Sequence, residues 1–563
     1  MCGIWGLLST LRKMDLTSVF QSIHYTDCMS VQPRGPERTI IKQSNHYMLG
    51  FHRLAINGLS EDNDQPYLYE EEESKYIVMC NGEIYNFDKI KVILGLGDEV
   101  TCDTRVVYPL FKLLNYDFQL LNQTLQGEYA LVIIKSTLQG SIQCLYASVD
   151  ECSVRPLFYA YDQQSGVFAF SSLLRGICNS LSPQVHPVRM NGGQMIQVDF
   201  ATQSLRSTSY VDWNIPQTTH TVDENKKQVV ECLEACVHRR LKSDRNIGCF
   251  LSGGLDSSLI AALLAVELKK DGKQLHTFSI GAEDSADVQH ALLVANHIHS
   301  KHTHVSFTSQ QGLQHLDEVI HACETFDITT IRASIGQYLI SKYIAQHTDI
   351  KVVFSGDGAD EAEMGYLYFL KAPTPADAQK ESLKLLREIH LYDGLRVDRC
   401  VSVNGLEARV PYLDWEFVQS MLSIPPELKV PIKGERVEKW LLRSAFDELR
   451  PGLLPDRVLW RTKETFSDSL STDKSSWYQE LHHYMINHGP NRGLMNELCK
   501  TDHCPPQTVE AGYYRLKFNA KFGVHAAAVI PHIWMPMWSN TTDPSARTLE
   551  VYEDAQNKSL NHN

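Results

Sequence analysis

Cys2 is the residue whose type and position point most directly to chemistry in this chain. Removal of Met1, which is expected before so small a residue, leaves Cys2 with a thiol and a free α-amino group. An α-amine titrates near ~8 and a thiol near ~8.5, so at neutral pH the amine is partly unprotonated beside its own nucleophile. One residue then supplies an attacking sulfur and a general base. The alternative is a buried cysteine without chemistry, because free Cys usually packs as a small hydrophobe.

A second chemical signal is the segment Leu251–Ser258, with the sequence LSGGLDSS. It follows a predicted buried strand and precedes an apolar helical pattern. Its glycines let the backbone approach an anion, and successive amides at a helix N-terminus hold phosphate oxygens. Such turns also serve as plain strand-to-helix connections, but the Asp256-Ser257 continuation favours a phosphate loop. The sequence contains no GxxxxGK[ST] motif, so this is not a Walker A loop.

Length and charge limit the class of protein. At 563 residues the chain is too long for one core, and we expect about two to four domains. The net charge of -14 argues against a general nucleic-acid binder, which needs basic phosphate contacts. No apolar run reaches the ~18 residues of a membrane span. Residues 1–20 lack a secretory layout and the 14 cysteines form no CxxC pair, so we expect a cytosolic protein with reduced thiols.

The pattern of predicted elements changes near residue 210. Before it, alternating apolar runs at 76–80, 129–134 and 166–170 predict strands of a β-rich domain. After it, a capping box at 221–224 predicts the start of a helix. Three apolar runs are typical of buried strands, and they lie at 247–251, 276–280 and 351–354. Each run is followed by apolar residues at helical spacing, and this alternation predicts a parallel α/β sheet. We expect a first domain at 2–205, a linker at 206–222, a second domain at 223–538 and a polar tail at 539–563.

Four motifs of the first half resemble the class II glutamine amidotransferase domain. They are Cys2-Gly3-Ile4, Arg34-Gly35-Pro36, His52–Ile56 and Asn81–Asn86. Together with the phosphate loop, they make the chain similar to the glutamine-hydrolysing asparagine synthetases. Further matches lie at 324–334, 365–369, 371–373, 405–414 and 538–547. The resemblance implies an α+β N-terminal nucleophile hydrolase domain, an αββα sandwich, followed by an α/β parallel-sheet ATP-pyrophosphatase domain.

For the first half, the resemblance implies a glutaminase site in which the Cys2 sulfur attacks the side-chain amide of glutamine and releases ammonia. The Asn81 side chain and the Gly82 amide would hold the oxyanion. Arg53 suits the glutamine carboxylate through bidentate pairing, and two carboxylates suit its ammonium. The implied glutamine-binding residues are Arg53, Leu54, Ala55, Ile56, Asn57, Asn81, Gly82, Glu83 and Asp103.

For the second half, the resemblance implies that aspartate and ATP form β-aspartyl-AMP, which ammonia arriving through an internal tunnel converts into asparagine. Lys463 would stabilise charge at the phosphate, and Asp357 would accept a proton from ammonia. Mg²⁺ would neutralise the leaving pyrophosphate, with Asp256 and Asp360 as ligands. The implied ATP-binding residues are Leu251, Ser252, Gly253, Gly254, Asp256, Ser257, Ile280, Ser355 and Gly356. Arg332, Asp398 and Arg399 are further candidates that could equally form structural ion pairs.

Several positions depart from the family pattern. Asp357 replaces the usual Glu and is one methylene shorter. Around the glutaminase site and the domain contact, the departures are Pro33 for His, Arg105 for an acidic residue, Val149 for Arg, Ser153 for Gly and Leu173 for Glu. Since the residues implied to do the chemistry are present, we expect a working glutaminase.

Two alternatives stay open. A divergent paralogue with weak or lost glutaminase activity would act as an ammonia-dependent synthetase or as a regulatory protein. A β-lactam-forming relative shares both domains but typically lacks the N-terminal nucleophile, which is present here as Cys2. The implied substrates are the small molecules glutamine, aspartate and ATP, without nucleic-acid or membrane partners. The family default is a homodimer.

Overall fold

The computed structural model of the chain describes residues 1–9, 18–179, 185–461, 477–500, 503–539 and 543–544. The described residues up to 209 form two antiparallel sheets and four helices. The strands are β1 (Gly3–Ser9), β2 (Arg38–Gln43), β3 (Tyr47–Arg53), β4 (Tyr67–Glu70), β5 (Ser74–Ile84), β6 (Gly127–Thr137), β7 (Ile142–Val149), β8 (Phe158–Asp162), β9 (Val167–Ser171), β10 (Val188–Arg189), β11 (Gln194–Asp199) and β12 (Ser204–Ser209). The helices are α1 (Ser18–Ser30), α2 (Phe87–Ile93), α3 (Val107–Leu113) and α4 (Phe118–Thr124).

The two sheets pack face to face around an apolar core. Their strand orders are β10-β8-β9-β1-β3-β2 and β12-β11-β7-β6-β5-β4. Ile4 and Phe51 of the first sheet contact the same core as Val132 of the second. Helices α2 to α4 cover the outer face of the second sheet. Helix α1 lies on the first sheet, where a Cβ at Gly50 would be 2.2 Å from Cys28 Sγ. The predicted αββα sandwich is confirmed.

The second half begins with the predicted capping box. The Thr221 hydroxyl accepts from Glu224 N at 3.3 Å, and the Glu224 carboxylate accepts from Thr221 N at 2.8 Å. This cap satisfies two amide donors that the first turn of helix α5 (Val222–Arg239) would leave without partners. The predicted domain boundary at 205 stays a prediction, although β12 pairs with β11 as far as Ser209.

A parallel sheet forms the centre of the second half. Its strands are β13 (Ile247–Phe250), β14 (His276–Gly281), β15 (Lys301–Ser306), β16 (Val352–Phe354) and β17 (Glu407–Arg409), in the order β15-β14-β13-β16-β17. The chain builds outward from β13 to β15 and then returns to the other side of β13 at β16. The carboxyl ends of β13 and β16 therefore flank a topological switch point, where ligands bind in open α/β sheets.

Helices surround this sheet and continue towards the C-terminus. They are α6 (Leu255–Lys270), α7 (Ala286–His297), α8 (Ser309–Gln314), α9 (Leu316–Cys323), α10 (Ile328–His347), α11 (Ala359–Ala362), α12 (Pro375–Glu388), α13 (Asp393–Ser402), α14 (Trp415–Ser423), α15 (Trp440–Leu449), α16 (Asp456–Leu459), α17 (Trp477–His488), α18 (Arg492–Leu498) and α19 (Val509–Phe522). Within the described ranges, no helix has the length and apolar character needed to cross a membrane. The predicted tail at 539–563 lies outside the described residues except for residues 539 and 543–544.

Candidate active sites

Cys2 directly precedes β1, a central strand of the first sheet. Its Sγ donates to the Leu54 carbonyl at 3.5 Å, and its own carbonyl accepts from Arg34 Nε at 3.0 Å. The Arg34 guanidinium also forms a bidentate pair with Asp398 of the second half, at 2.7 and 2.9 Å. Burial alone would raise the pKa of Asp398, but the charge and hydrogen bonds of Arg34, with the charges of Arg399 and Arg155, together outweigh burial and lower this pKa well below its usual range. Cys2 is thus positioned from both halves of the chain.

The environment of Cys2 keeps its sulfur protonated unless a base removes the proton. Burial raises the pKa of the Cys2 thiol to about 11. In the same surroundings, burial lowers the pKa of the Met1 α-amine to about 6. The Met1 α-amine is therefore mostly neutral at pH 7, and a neutral amine is the state that a general base requires.

Asn81 and Gly82 lie next to each other on β5, a strand that packs across from β1. The Asn81 side chain is 0% exposed, and neither its oxygen nor its nitrogen has a hydrogen-bond partner among the described residues. Gly82 has φ of 147°, and a Cβ there would be 2.0 Å from the Glu128 carbonyl oxygen. Native proteins rarely leave a buried amide unpaired. The arrangement therefore provides a donor that is free to bind a substrate oxygen.

Two buried carboxylates, Glu83 and Asp103, lie near the predicted glutamine pocket. Burial, followed by the charge of Asp103, raises the pKa of Glu83 well above its usual range. Burial raises the pKa of Asp103 to about 6. The Asn57 amide donates to Glu83, and Ile84 N donates to Asp103 at 2.6 Å. Neighbouring carboxylates that are difficult to ionise together favour binding of a cation such as an ammonium group.

Arg53 ends β3 and is followed by the buried residues Leu54–Asn57. Its guanidinium donates to the Ser60 carbonyl at 2.7 Å, to the Asp64 carboxylate at 2.9 Å and to the Gly58 carbonyl at 2.5 Å. These acceptors orient the side chain within the loop. Pairing of Arg53 with a substrate carboxylate stays a prediction.

A cavity that opens to solvent lies at the switch point of the parallel sheet. The predicted residues that line it are Leu251, Ser252, Gly254, Asp256, Ser257, Ile280, Ser355, Gly356, Asp357 and Asp360. The remaining loop glycine, Gly253, has φ of 79°, and a Cβ there would be 2.4 Å from the Asp287 carbonyl oxygen. The loop that follows β13 therefore needs glycine at this position, and the structure brings the predicted nucleotide residues together.

Lys439 lies between the two carboxylates that were predicted to bind a metal. Its Nζ is 2.6 Å from the Asp360 carboxylate and 2.6 and 2.7 Å from the two oxygens of Asp256. Lys439 is 1% exposed and has φ of 56°, which is unusual for a residue other than glycine. Sequence reasoning missed this residue, because an isolated Lys at the start of a helix gives no local signal.

Asp357 contacts Arg396, a second residue that sequence reasoning missed. The Arg396 guanidinium donates to the Asp357 carboxylate and pairs with Asp393 at 2.5 Å. The Ser355 hydroxyl also donates to Asp357. All four residues line the cavity. The only available signal was the spacing of Asp393 and Arg396, which lie one turn apart on α13.

The remaining sequence candidates lie elsewhere. Arg332 pairs with Glu510 at 2.7 Å and with Asp543 at 2.9 Å, and it does not line the cavity. Asp398 and Arg399 pair with each other at the contact between the two halves. These residues form structural ion pairs, which was the alternative left open. Lys463 lies outside the described residues.

The departures from the family pattern are accommodated in different ways. Arg105 stacks over the Tyr67 ring at 4.1 Å and donates to the Asn63 side chain at 3.3 Å. Val149 and Leu173 are buried in the core, and Ser153 has φ of 51°.

Comparison with known proteins matches both halves of the chain. The family model described as a glutamine amidotransferase domain matches residues 1–229, and the model described as asparagine synthase matches residues 228–383 and 371–506. The asparagine synthetase [glutamine-hydrolyzing] of Bos taurus is 38% identical over 586 residues, covering 99% of this chain and 100% of the relative. That of Homo sapiens is 37% identical over 587 residues, with the same coverage.

A solved structure titled "Structure of the allosteric regulatory enzyme of purine biosynthesis" is 13% identical and covers 54% of this chain and 80% of its own. Its TM-score of 0.31 is too low to bear on the fold. The full-length relatives and the two family models are sufficient to assign the family. The chain belongs to the family of glutamine-hydrolysing asparagine synthetases.

Proposed function

We propose that this protein makes L-asparagine from L-aspartate and ATP with L-glutamine as nitrogen donor, and releases glutamate, AMP and pyrophosphate. The observation that carries this proposal is the presence of two complementary sites in one chain. One has the Cys2 thiol at the start of β1 and, on the contacting strand β5, the Asn81 amide without a partner among the described residues. The other has a phosphate loop at the switch point of a parallel sheet. The full-length relatives bear the corresponding name.

In the glutaminase half, we propose that Cys2 acts after Met1 is removed. The neutral α-amine takes the thiol proton, and the sulfur attacks the side-chain amide of glutamine. Asn81 and the Gly82 amide stabilise the oxyanion, since donors placed before the reaction need no reorganisation. Glu83 and Asp103 bind the substrate ammonium, and Arg53 binds its carboxylate. Ammonia leaves, and water hydrolyses the thioester to glutamate.

In the synthetase half, the Ser252–Ser257 loop holds the β- and γ-phosphates of ATP, and Leu251 and Ile280 contact the adenosine. The aspartate side-chain carboxylate attacks the α-phosphate, which forms β-aspartyl-AMP and pyrophosphate. Arg396 lines the same cavity and suits the α-carboxylate of aspartate. Ammonia then attacks the acyl carbon and displaces AMP as the acyl C–O bond breaks, and Asp357 accepts the proton that the nitrogen loses. Lys463 remains a proposed stabiliser of charge at the phosphate.

Asp256 and Asp360 would hold Mg²⁺ beside the phosphate loop. Carboxylate oxygens are ligands that Mg²⁺ prefers, and both side chains line the cavity. Lys439 pairs with both carboxylates and thereby holds them next to each other. When bound, the ion would neutralise charge on the departing pyrophosphate.

We further propose a cytosolic location, no nucleic-acid partner and a homodimer. The described cysteines are all free thiols, which suits a reducing compartment. The alternative of a paralogue without turnover is not favoured by any feature of the glutaminase site.

Product analysis tests the proposal. The protein is incubated with ATP, Mg²⁺ and aspartate, with glutamine or an ammonium salt as nitrogen source, and nucleotides and amino acids are separated by chromatography. We expect asparagine, AMP and pyrophosphate in equal amounts, with either source. ADP and orthophosphate as primary products would contradict the phosphate-loop assignment, and no glutamate from glutamine would support the paralogue.

A further inference from the structure

The loop Leu54–Gly58, which follows β3 in the glutaminase half, is held by two residues of the synthetase half. Gly58 N donates to the Asp244 carboxylate at 2.8 Å, and Asp244 N donates to the Ile56 carbonyl at 3.0 Å. Arg245 Nε donates to the Ala55 carbonyl at 2.8 Å. Asp244 and Arg245 therefore hold the loop backbone at Ala55, Ile56 and Gly58 from the other half of the chain.

Glu37 closes this arrangement on the glutaminase side. One of its carboxylate oxygens accepts from Ala55 N at 2.8 Å, and the other pairs with Arg245 at 2.8 Å. The Arg245 and Glu37 side chains are only 30% and 29% exposed. Both the amide and the carbonyl of Ala55 are thus bound to members of one ion pair. Charge-assisted hydrogen bonds of this kind are stronger than neutral ones, so the loop is held firmly at Ala55.

The carbonyls at the two ends of the loop contact groups with proposed roles in catalysis. Leu54 O accepts from Cys2 Sγ at 3.5 Å, and Gly58 O accepts from the Arg53 guanidinium at 2.5 Å. Gly58 has φ of 61°, and a Cβ there would be 2.6 Å from the Asn63 amide nitrogen. Displacing the middle of the loop therefore moves the acceptors that orient the nucleophile and the proposed carboxylate-binding Arg.

We propose that Asp244 and Arg245 are positioning residues of the glutamine site, supplied by the synthetase half. This inference rests on the proposed glutaminase function. The two residues lie between α5 and β13, and the phosphate loop follows β13 directly. One short strand therefore separates the residues that hold the glutamine loop from those that hold ATP.

Steady-state kinetics of Asp244→Ala and Arg245→Ala test this inference. Each change removes a charge-assisted hydrogen bond to the loop, so we expect the glutamine KM to rise about tenfold. We expect kcat for glutamine hydrolysis to fall less than kcat/KM. Asparagine synthesis from ammonium salts should keep its parental rate, because neither residue lines the synthetase cavity. Asp244→Asn keeps an acceptor for Gly58 N and should restore a near-parental KM.

Lys242→Ala is the matched control. Lys242 belongs to the same segment and pairs with Asp88 across the same contact between the two halves, without touching the Leu54–Gly58 loop. We expect its glutamine KM to equal that of the parent. An unchanged KM in both alanine variants would overturn the inference, as would a parallel loss of ammonium-dependent synthesis, which would indicate a general structural role. A parental protein that hydrolyses no glutamine would overturn the proposed function instead.

Discussion

Replacing Asn81 by Leu tests the oxyanion assignment against a purely structural role. The Asn81 side chain is 0% exposed and has no hydrogen-bond partner among the described residues. An unpaired buried amide lowers the free energy of unfolding by about 1–3 kcal/mol. Leu has the same number of side-chain heavy atoms and the same branching, so Asn81→Leu keeps the shape of the side chain, with larger methyl groups, and removes this penalty. The free energy of unfolding should therefore stay unchanged or rise.

The glutaminase activity of Asn81→Leu should fall, although its free energy of unfolding does not. Loss of one oxyanion donor lowers kcat by ~10²–10³-fold, which corresponds to about 3–4 kcal/mol of transition-state stabilisation. Glutamate release by Asn81→Leu should fall by this factor. Asparagine formation from ammonium salts should keep the parental rate, because the synthetase site does not use Asn81. Chemical denaturation and an enzyme-coupled glutamate assay measure the two effects on the same preparation.

Asn122 is the matched control, because it is also 0% exposed in the same half of the chain. Its amide donates to the Phe118 carbonyl at 2.7 Å and accepts from the Tyr129 hydroxyl at 3.1 Å. Asn122→Leu should lower the free energy of unfolding by about 1–3 kcal/mol and leave glutaminase activity per folded molecule unchanged. The reasoning is refuted if Asn81→Leu hydrolyses glutamine at the parental rate, or if it destabilises the protein as much as Asn122→Leu does.

Two further predictions concern the carboxylates of Asp357 and Asp103. Asp357→Asn preserves the shape of the side chain but removes the proposed base. Asparagine formation should therefore fall by ~10²–10⁴-fold, while ATP–pyrophosphate exchange continues at a reduced level. Equal losses in both assays would contradict this role of Asp357. Burial raises the pKa of Asp103 to about 6, so protonation below that pH should weaken binding of the glutamine ammonium. In a Cys2→Ala background, calorimetry should show affinity falling between about pH 7.5 and 5.5, and Asp103→Asn should weaken this dependence, leaving the part that Glu83 contributes.

Much of the fold follows from local sequence patterns. The runs at 247–251, 276–280 and 351–354 correspond to β13, β14 and β16, because continuous apolar runs are typical of strands buried on both faces. The capping box at Thr221 was predictable since its partners lie three residues apart. Strand β17 gave no such signal, because it is only three residues long and contains the charged Glu407 and Arg409. Its pairing with β16 depends on tertiary contacts.

The candidate sites were predictable where their residues are contiguous, as in the loop after β13. They were not predictable where distant residues meet. Lys439 and Asp256 are 183 positions apart, yet their charged groups are 2.6 Å apart. Asp244 and Gly58 are 186 positions apart and share a hydrogen bond. A single sequence does not reveal which distant charges pair, because many surface charges have the same local pattern.

The central claim is that one chain contains two separate sites, of which only the first needs the thiol. Asparagine formation by Cys2→Ala, measured side by side with glutamine and with an ammonium salt, tests this claim most directly. We predict that the variant forms no asparagine from glutamine above background and forms it from ammonium at the parental rate. Parental synthesis from glutamine would contradict the assignment of Cys2, and loss of synthesis from both nitrogen sources would contradict the separation of the two sites.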